Sequence, residues 1–106
     1  MALAFSDLRI IDFTQVLAGP YASQLLAMLG ADIIKIEEPG QGDPLRQMLP
    51  TEETEQYGMS PAFMSANVGK RSIALDLKHP KSREIIKRLL QDADAMMENF
   101  KAGAIE

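Results

Sequence analysis

The sequence predicts an open α/β fold: a parallel sheet built from βαβ units and belonging to a truncated domain. Three observations predict it. Short runs of branched apolar residues recur with room for one helix between them. Gly and Pro stand where those helices should begin and end. The last run is followed by only a short tail, with no covering helix.

Residues 8–13, Leu-Arg-Ile-Ile-Asp-Phe, read as a short buried strand. Gly19-Pro20 punctuates next, and proline suits a first helical turn because its missing N–H has no partner there anyway. A helix is expected from Tyr21 to Leu29, with Leu25, Leu26 and Leu29 on one side. Gly30 stands where a helix ends in a left-handed residue. Asp32 to Glu37 contains Ile33-Ile34-Lys35-Ile36, a nearly continuous apolar run suited to a strand covered on both faces. Strand, helix and strand in this order make a βαβ unit, with parallel strands and a right-handed crossover.

Pro39 to Ser60 carries Pro39, Gly40, Gly42, Pro44, Pro50 and Gly58 around the acidic residues Glu52, Glu53 and Glu55, and reads as a long loop. Pro61 to Val68 is expected to form a short helix. Ser72 to Lys78 alternates, with Ile73, Leu75 and Leu77 on one face, and predicts a third strand. Pro80 opens another helix with Ile85, Ile86, Leu89 and Leu90 as its apolar face. Ala93 to Met97 is the fourth strand and completes a second βαβ unit. The whole is a Rossmann-like open sheet. Residues 103–106 read as the start of a further helix, so residues 1–106 are expected to be one domain cut from a longer chain, with a natural tail as the alternative.

Composition narrows the function. The chain has 106 residues, 46% hydrophobic and 25% charged, as globular proteins do. Its formal net charge of −4 argues against general nucleic-acid binding, which needs dense cationic surface. It leaves room for a phosphorylated small molecule, which a few local cations can hold. With no cysteine there is neither a disulfide nor a thiolate metal site. No apolar run approaches the roughly 20 residues of a membrane helix. Asp7 and Arg9 interrupt what would be a signal peptide's apolar stretch. A cytoplasmic protein away from membranes is expected.

Open α/β sheets bind ligands beyond the carboxyl ends of their strands. Residues 14–20, 37–43, Lys78 and 98–103 therefore hold the candidates. At Thr14 to Pro20, a Gly-Pro turn lets backbone approach a ligand and aims helix N–H groups at it, although a plain turn is an equal reading. No Gly-x-Gly-x-x-Gly is present. Lys70 and Arg71 can meet a phosphate with a point charge and a fork, but such a doublet alone is more often a solvated pair. Lys78, just before a helix, is similar. Asn99-Phe100 can read and stack on a purine; alone, it is more often a core aromatic beside a turn amide. Glu37, Glu38 and Asp43 are expected to be solvated. His79, the single histidine, is expected to be exposed, and no clustered ligands suggest a metal. The seven methionines read as core filler.

In order and spacing these segments resemble the class III CoA-transferases, which include formyl-CoA and carnitine CoA-transferases and alpha-methylacyl-CoA racemases. The likeness runs through Ile11-Asp12-Phe13, Ala18-Gly19-Pro20, residues 29–32, Lys35-Ile36-Glu37, Gly42-Asp43 and Arg46. It resumes at Asn67, residues 70–73, residues 75–78 and Glu98-Asn99-Phe100. The resemblance implies the front part of an enzyme that moves CoA between carboxylic acids. An aspartate forms a covalent acyl intermediate, and that aspartate lies beyond this chain, which alone should be inactive. It implies an acyl-CoA donor, a carboxylic acid acceptor and interlocked homodimers in the full-length family.

By the same resemblance Leu75 to Lys78 line the adenosine end of coenzyme A, and Asn99 and Phe100 sit against the adenine. Lys70 and Arg71 remain candidates for a phosphate. Gln15, Val16, Leu17 and Ala18 approach the thioester, where amide N–H groups can stabilise an oxyanion. Departures are also visible. Formyl-CoA transferases carry histidine at the place of Gln15 and glutamine at that of Leu17, and some members carry arginine at that of Glu38. Lys101-Ala102-Gly103 replaces the commoner Arg-Pro-Gly. An acyl-CoA racemase, a stand-alone CoA or nucleotide module, and a structural piece that pairs through an open sheet edge are the alternatives.

Overall fold

In the computed structural model, which describes residues 2–105, the chain forms β1 (Arg9–Asp12), α1 (Ala18–Met28) and β2 (Asp32–Glu37). A 3-10 turn (Pro44–Gln47), α2 (Glu52–Tyr57) and α3 (Pro61–Ala66) follow. β3 (Arg71–Ala74), α4 (Pro80–Gln91) and β4 (Ala95–Met97) complete it. The strands pair in the order β3-β2-β1-β4, all parallel.

The first βαβ unit is as the sequence predicts. The second differs, because β3 and β4 are not neighbours. β3 takes the free edge of β2, which leaves the free edge of β1 for β4. α4 therefore carries the chain across the sheet, and the strand order reverses between β1 and β4. In an open parallel sheet that reversal opens a crevice at the carboxyl ends.

Alternation along the strands assigns the two faces. Ile11, Phe13, Ile34 and Ile36 pack with Leu75 against Ile86, Leu89 and Leu90 of α4. Ile10 and Ile33 pack against Leu26 and Ala27 of α1 on the other side. Each such side chain, fully withdrawn from water, contributes about 1.5–3 kcal/mol. The α1 face turns polar toward the carboxyl ends, where Asp12, Lys35 and Glu37 follow the isoleucines at period two and are all buried.

Several elements depart from expectation for identifiable reasons. α1 begins at Ala18 and includes Gly19 and Pro20 in its first turn. Its buried face is Pro20, Ser23 and Gln24, while Leu25 and Leu29 are exposed. The helix lies too close to the β1 carboxyl end for large side chains: a Cβ on Gly19 would stand 2.4 Å from Thr14 Cβ. Gly30, at φ +108°, does end the helix region.

The expected loop 39–60 contains the 3-10 turn and α2. Their start signals are side-chain caps: Asp43 accepts from Leu45 N at 2.9 Å, and Thr54 Oγ1 accepts from Thr51 N at 2.9 Å. α3 forms where predicted, with Ser60 accepting from Phe63 N at 3.1 Å. β3 ends at Ala74 rather than Lys78, because Asp76 folds the chain into a side-chain turn, accepting from Lys78 N at 3.0 Å. His79 is exposed and caps α4, its Nδ1 accepting from Lys81 N at 3.1 Å. Met28, Met48, Met64 and Met96 are exposed rather than core filler. Residues 102–104 form a turn and bend, with Gly103 at φ +83°, where a helix start was expected; Glu106 lies outside the described residues.

Candidate functional site

A cleft of about 200 Å³ lies at the carboxyl ends of the strands, lined by Gln15, Ile36, Glu37, Glu38, Leu75, Asp76, Leu77, Lys78 and Phe100. Four of the sequence candidates, Gln15, Leu75, Lys78 and Phe100, meet here. The early end of β3 is what lets residues 75–78 turn up and form a wall. Phe100 is braced from below by Phe13, with ring centroids 6.3 Å apart and planes tilted by 58°.

Asn99 joins the cleft's rim to β1 across the strand reversal. Gln15 N donates to Asn99 Oδ1 at 3.1 Å, and Asn99 Nδ2 donates to the Gln15 carbonyl at 3.0 Å. The amide is thus committed to backbone. Phe100 is held in turn by its own N–H, which donates to Glu98 Oε2 at 2.8 Å.

Beside the cleft the loop after β1 takes an unusual shape. Val16 has φ +71°, a left-handed conformation that a β-branched side chain disfavours by about 1–3 kcal/mol. Its N–H donates to Asp43 Oδ1 at 3.0 Å. Leu17 and Ala18 follow at the start of α1; both are exposed, and Leu17 makes no side-chain cap bond.

Asp43 and Glu37 are the main correction at the site: both were expected to be solvated and both are buried. Asp43 Oδ2 lies 2.8 Å from Lys35 Nζ, an ion pair with side chains 0% and 1% exposed. The contact is not aligned as a hydrogen bond, and Lys35 Nζ instead donates to the Thr14 carbonyl at 2.8 Å. Glu37 accepts two bonds from Arg46, at 2.8 and 2.7 Å, one from Asp43 N at 2.8 Å and one from Ser72 Oγ. Burial opposes ionisation of Glu37, yet the Arg46 and Ser72 bonds outweigh it and hold the carboxyl at about 2. Arg46 also stacks on Phe63, 3.9 Å from its centroid, tying the 44–66 segment to the end of β2. Glu38 remains exposed at the cleft.

The Lys70-Arg71 doublet does not act as one cation site. Lys70 turns inward, its side chain 2% exposed, and its Nζ donates to Pro20 O and Asn67 Oδ1 at 2.9 Å and to Asp12 Oδ2 at 3.2 Å. Burial lowers its pKa, with Asp12 opposing. Asp12 is buried too, which disfavours its charge. Bonds from Ser23 and Thr14 and the charge of Lys70 prevail and hold it below the usual carboxylate range. Arg71 sits at the opposite end of the sheet, where its guanidinium grips Asp32 with Nη2 2.7 and 2.9 Å from the two oxygens. Neither residue lines the cleft. Among the described residues no group of three His, Cys, Asp or Glu side chains is placed to hold a metal ion.

The sequence reading missed Lys35, Asp43, Asp12 and Arg46 as parts of one buried network. One signal was present: a lysine inside an isoleucine run has to find a buried acceptor or leave the sheet.

Known proteins share the family and the fold of this chain. The family model for CoA-transferase family III matches residues 5–106. The chain is 47% identical over 104 residues to the succinyl-CoA:mesaconate CoA-transferase of Haloarcula hispanica, covering 97% of this chain and 26% of that protein. It is 44% identical over 106 residues to the formyl-CoA:oxalate CoA-transferase of Afipia carboxidovorans, covering 100% of this chain and 24% of that one. A crystal structure of a CAIB/BAIF family protein from Brucella suis superposes with a TM-score of 0.87 at 36% identity, over 99% of this chain and 28% of the other. The chain thus spans about a quarter of the length of the relatives it matches. With the family model matching residues 5–106 and the fold shared with a solved relative, the chain belongs to CoA-transferase family III.

Proposed function

We propose that this chain is the nucleotide-holding front part of an enzyme that transfers CoA from an acyl-CoA donor to a carboxylic acid acceptor. The single observation that carries the reading is the cleft at the strand reversal, where Leu75, Lys78 and Phe100 converge. Phe100 supplies a face for adenine, Leu75 a wall for the sugar, and Lys78 a cation for a phosphate. Asn99 contributes by fixing the rim. Gln15, Val16, Leu17 and Ala18 lie at the loop that continues from this cleft, where the thioester end is met.

The chemistry that fits is covalent transfer by a carboxylate outside this chain. The carboxylate oxygen attacks the thioester carbonyl, the C–S bond breaks, and the CoA thiolate leaves with the electron pair. The thiolate then attacks the enzyme-side carbonyl of the resulting anhydride and breaks its bond to the bridging oxygen. The donor acid leaves as a carboxylate carrying that oxygen, which came from the enzyme, and CoA stays on the enzyme carboxyl as a thioester. The acceptor acid then takes the CoA by the same pair of steps in reverse. Lys70 and Arg71 are given no phosphate role, since one is enclosed and the other lies at the far end of the sheet.

The test is CoA binding by the longest natural form of the protein that carries this chain. Lys78→Ala and Phe100→Ala are each expected to weaken CoA by about tenfold or more, and Arg71→Glu to leave affinity unchanged. CoA affinity indifferent to Lys78 and Phe100 overturns the assignment. Tight binding of CoA and of ADP alike, with no acyl-CoA turnover, supports a binding module instead.

A further inference from the structure

Every buried charge in the network has a structural partner, but one group of contacts ends on backbone beside the site. Lys35 holds Asp43 at 2.8 Å, and Asp43 Oδ1 receives the N–H of Val16 at 3.0 Å. The same lysine donates to the carbonyl of Thr14, two residues earlier. One ion pair therefore grips both sides of the Gln15 peptide segment. The residue so gripped has a left-handed backbone, φ +71°, although it is a valine. Such a conformation persists only where surroundings impose it, and strained residues of this kind gather at functional sites.

The grip is built for firmness. Asp43 is fixed from its own side: its N–H donates to Glu37 Oε1, and Glu37 is pinned by Arg46 and Ser72. Gly42, at φ +68°, allows the turn that brings Asp43 back over β2, and a Cβ there would stand 2.7 Å from Glu37 Oε1. A chain of fixed groups thus runs from β3 through β2 to the backbone at Val16.

We propose that Asp43, charged and held by Lys35, is a positioning residue for the reaction: it imposes the left-handed turn at Val16 that orients the Val16–Ala18 segment toward the thioester. This rests on the assignment of that segment to the thioester end of an acyl-CoA. A loosened turn misplaces groups at the reacting carbonyl while the adenosine end, set by Leu75, Lys78 and Phe100, stays in place.

The experiment compares Asp43→Ala with Asp43→Ala/Val16→Gly in the longest natural form of the protein, reading kcat and the Kd for free CoA. Asp43→Ala is expected to lower kcat about 100-fold with little change in Kd. Glycine takes a left-handed turn without being forced, so Val16→Gly in the Asp43→Ala background is expected to restore much of the lost kcat. A merely structural role would move Kd and stability with kcat and would show no rescue. Where Asp43→Ala does not fold, Lys35→Met/Asp43→Leu removes both charges and strands neither, with the same loss of kcat expected. Unchanged kcat in Asp43→Ala or in Lys35→Met/Asp43→Leu, or a loss without rescue by Val16→Gly, overturns the proposal and leaves the CoA site standing. Wild-type protein that neither binds CoA nor turns over an acyl-CoA overturns both.

Discussion

Gln15 and Asn99 exchange two hydrogen bonds across the point where the strand order reverses, backbone N–H to amide oxygen at 3.1 Å and amide nitrogen to backbone carbonyl at 3.0 Å. A side chain here imitates one rung of a β-ladder just beyond the last true rung, where Phe13 N donates to the Met97 carbonyl at 2.8 Å. The crevice between β1 and β4 is therefore braced at its floor, and Phe100 next along the chain inherits that rigidity.

Asn99→Ala removes both bonds. At about 1 kcal/mol each, a loss of about 1–2 kcal/mol in stability is expected, because the exposed backbone groups can return to water. CoA affinity is expected to fall with it, since Phe100 loses its mooring. Denaturant unfolding and CoA titration of the same variant check the two effects separately.

Adjacent cations should respond very differently to removal. Lys70→Met leaves Asp12 buried and unpaired and is expected to cost about 3–5 kcal/mol. Arg71→Met breaks an ion pair that is 63% exposed on the arginine side and is expected to cost no more than about 1 kcal/mol. Equal unfolding midpoints for the two variants would contradict this placement.

Gly19→Ala is expected to destabilise by about 1–3 kcal/mol. The added methyl meets three side-chain atoms of Thr14 at 2.4–2.8 Å, and Thr14 is held by its bonds to Asp12. Gly40→Ala is the control: its Cβ would meet nothing within 4 Å, so only the backbone penalty of φ +87° remains. Thermal unfolding of both variants separates collision from conformation.

Acid should dismantle the Glu37 knot. The carboxyl lies at about 2 in the folded protein against 4.5 as its ordinary value. The folded value is the lower one, so the stabilisation is complete above about 4.5 and is lost as pH falls toward about 2. It amounts to about 3 kcal/mol. Glu37→Gln is expected to lose that stability near neutrality and to show a flatter pH dependence below about 5. Urea unfolding at a series of pH values reads both.

Much of this architecture was legible in the sequence. Asp32 to Glu37 is the predicted strand to the residue, because an isoleucine run bounded by Gly-Ala-Asp and Pro leaves few alternatives. Pro61 and Pro80 mark the helices they were expected to open. Leu75, Lys78 and Phe100 do share a cleft. Partnership was not legible. Glu37 and Asp43 looked solvated because a Pro- and Gly-rich context usually means solvent, and only the fold brings Lys35 and Arg46 against them. Lys70 and Arg71 looked alike because they stand side by side in sequence, while one side chain turns inward to Asp12 and the other reaches Asp32 at the far end of the sheet. The strand order, too, depends on which edge is still open when β4 arrives, and no local pattern encodes that.

The position of β4 beside β1 has a consequence in time. The bond between Asn99 and Gln15 joins residues 84 apart in sequence. On a ribosome adding about 5–20 residues per second, β1 waits roughly 4–17 s for the neighbour that covers its second edge. Throughout that interval an apolar strand is half-dressed, and its natural protection is whatever holds nascent chains. A cell that makes this protein slowly should therefore depend on chaperones for the first strand more than for the last.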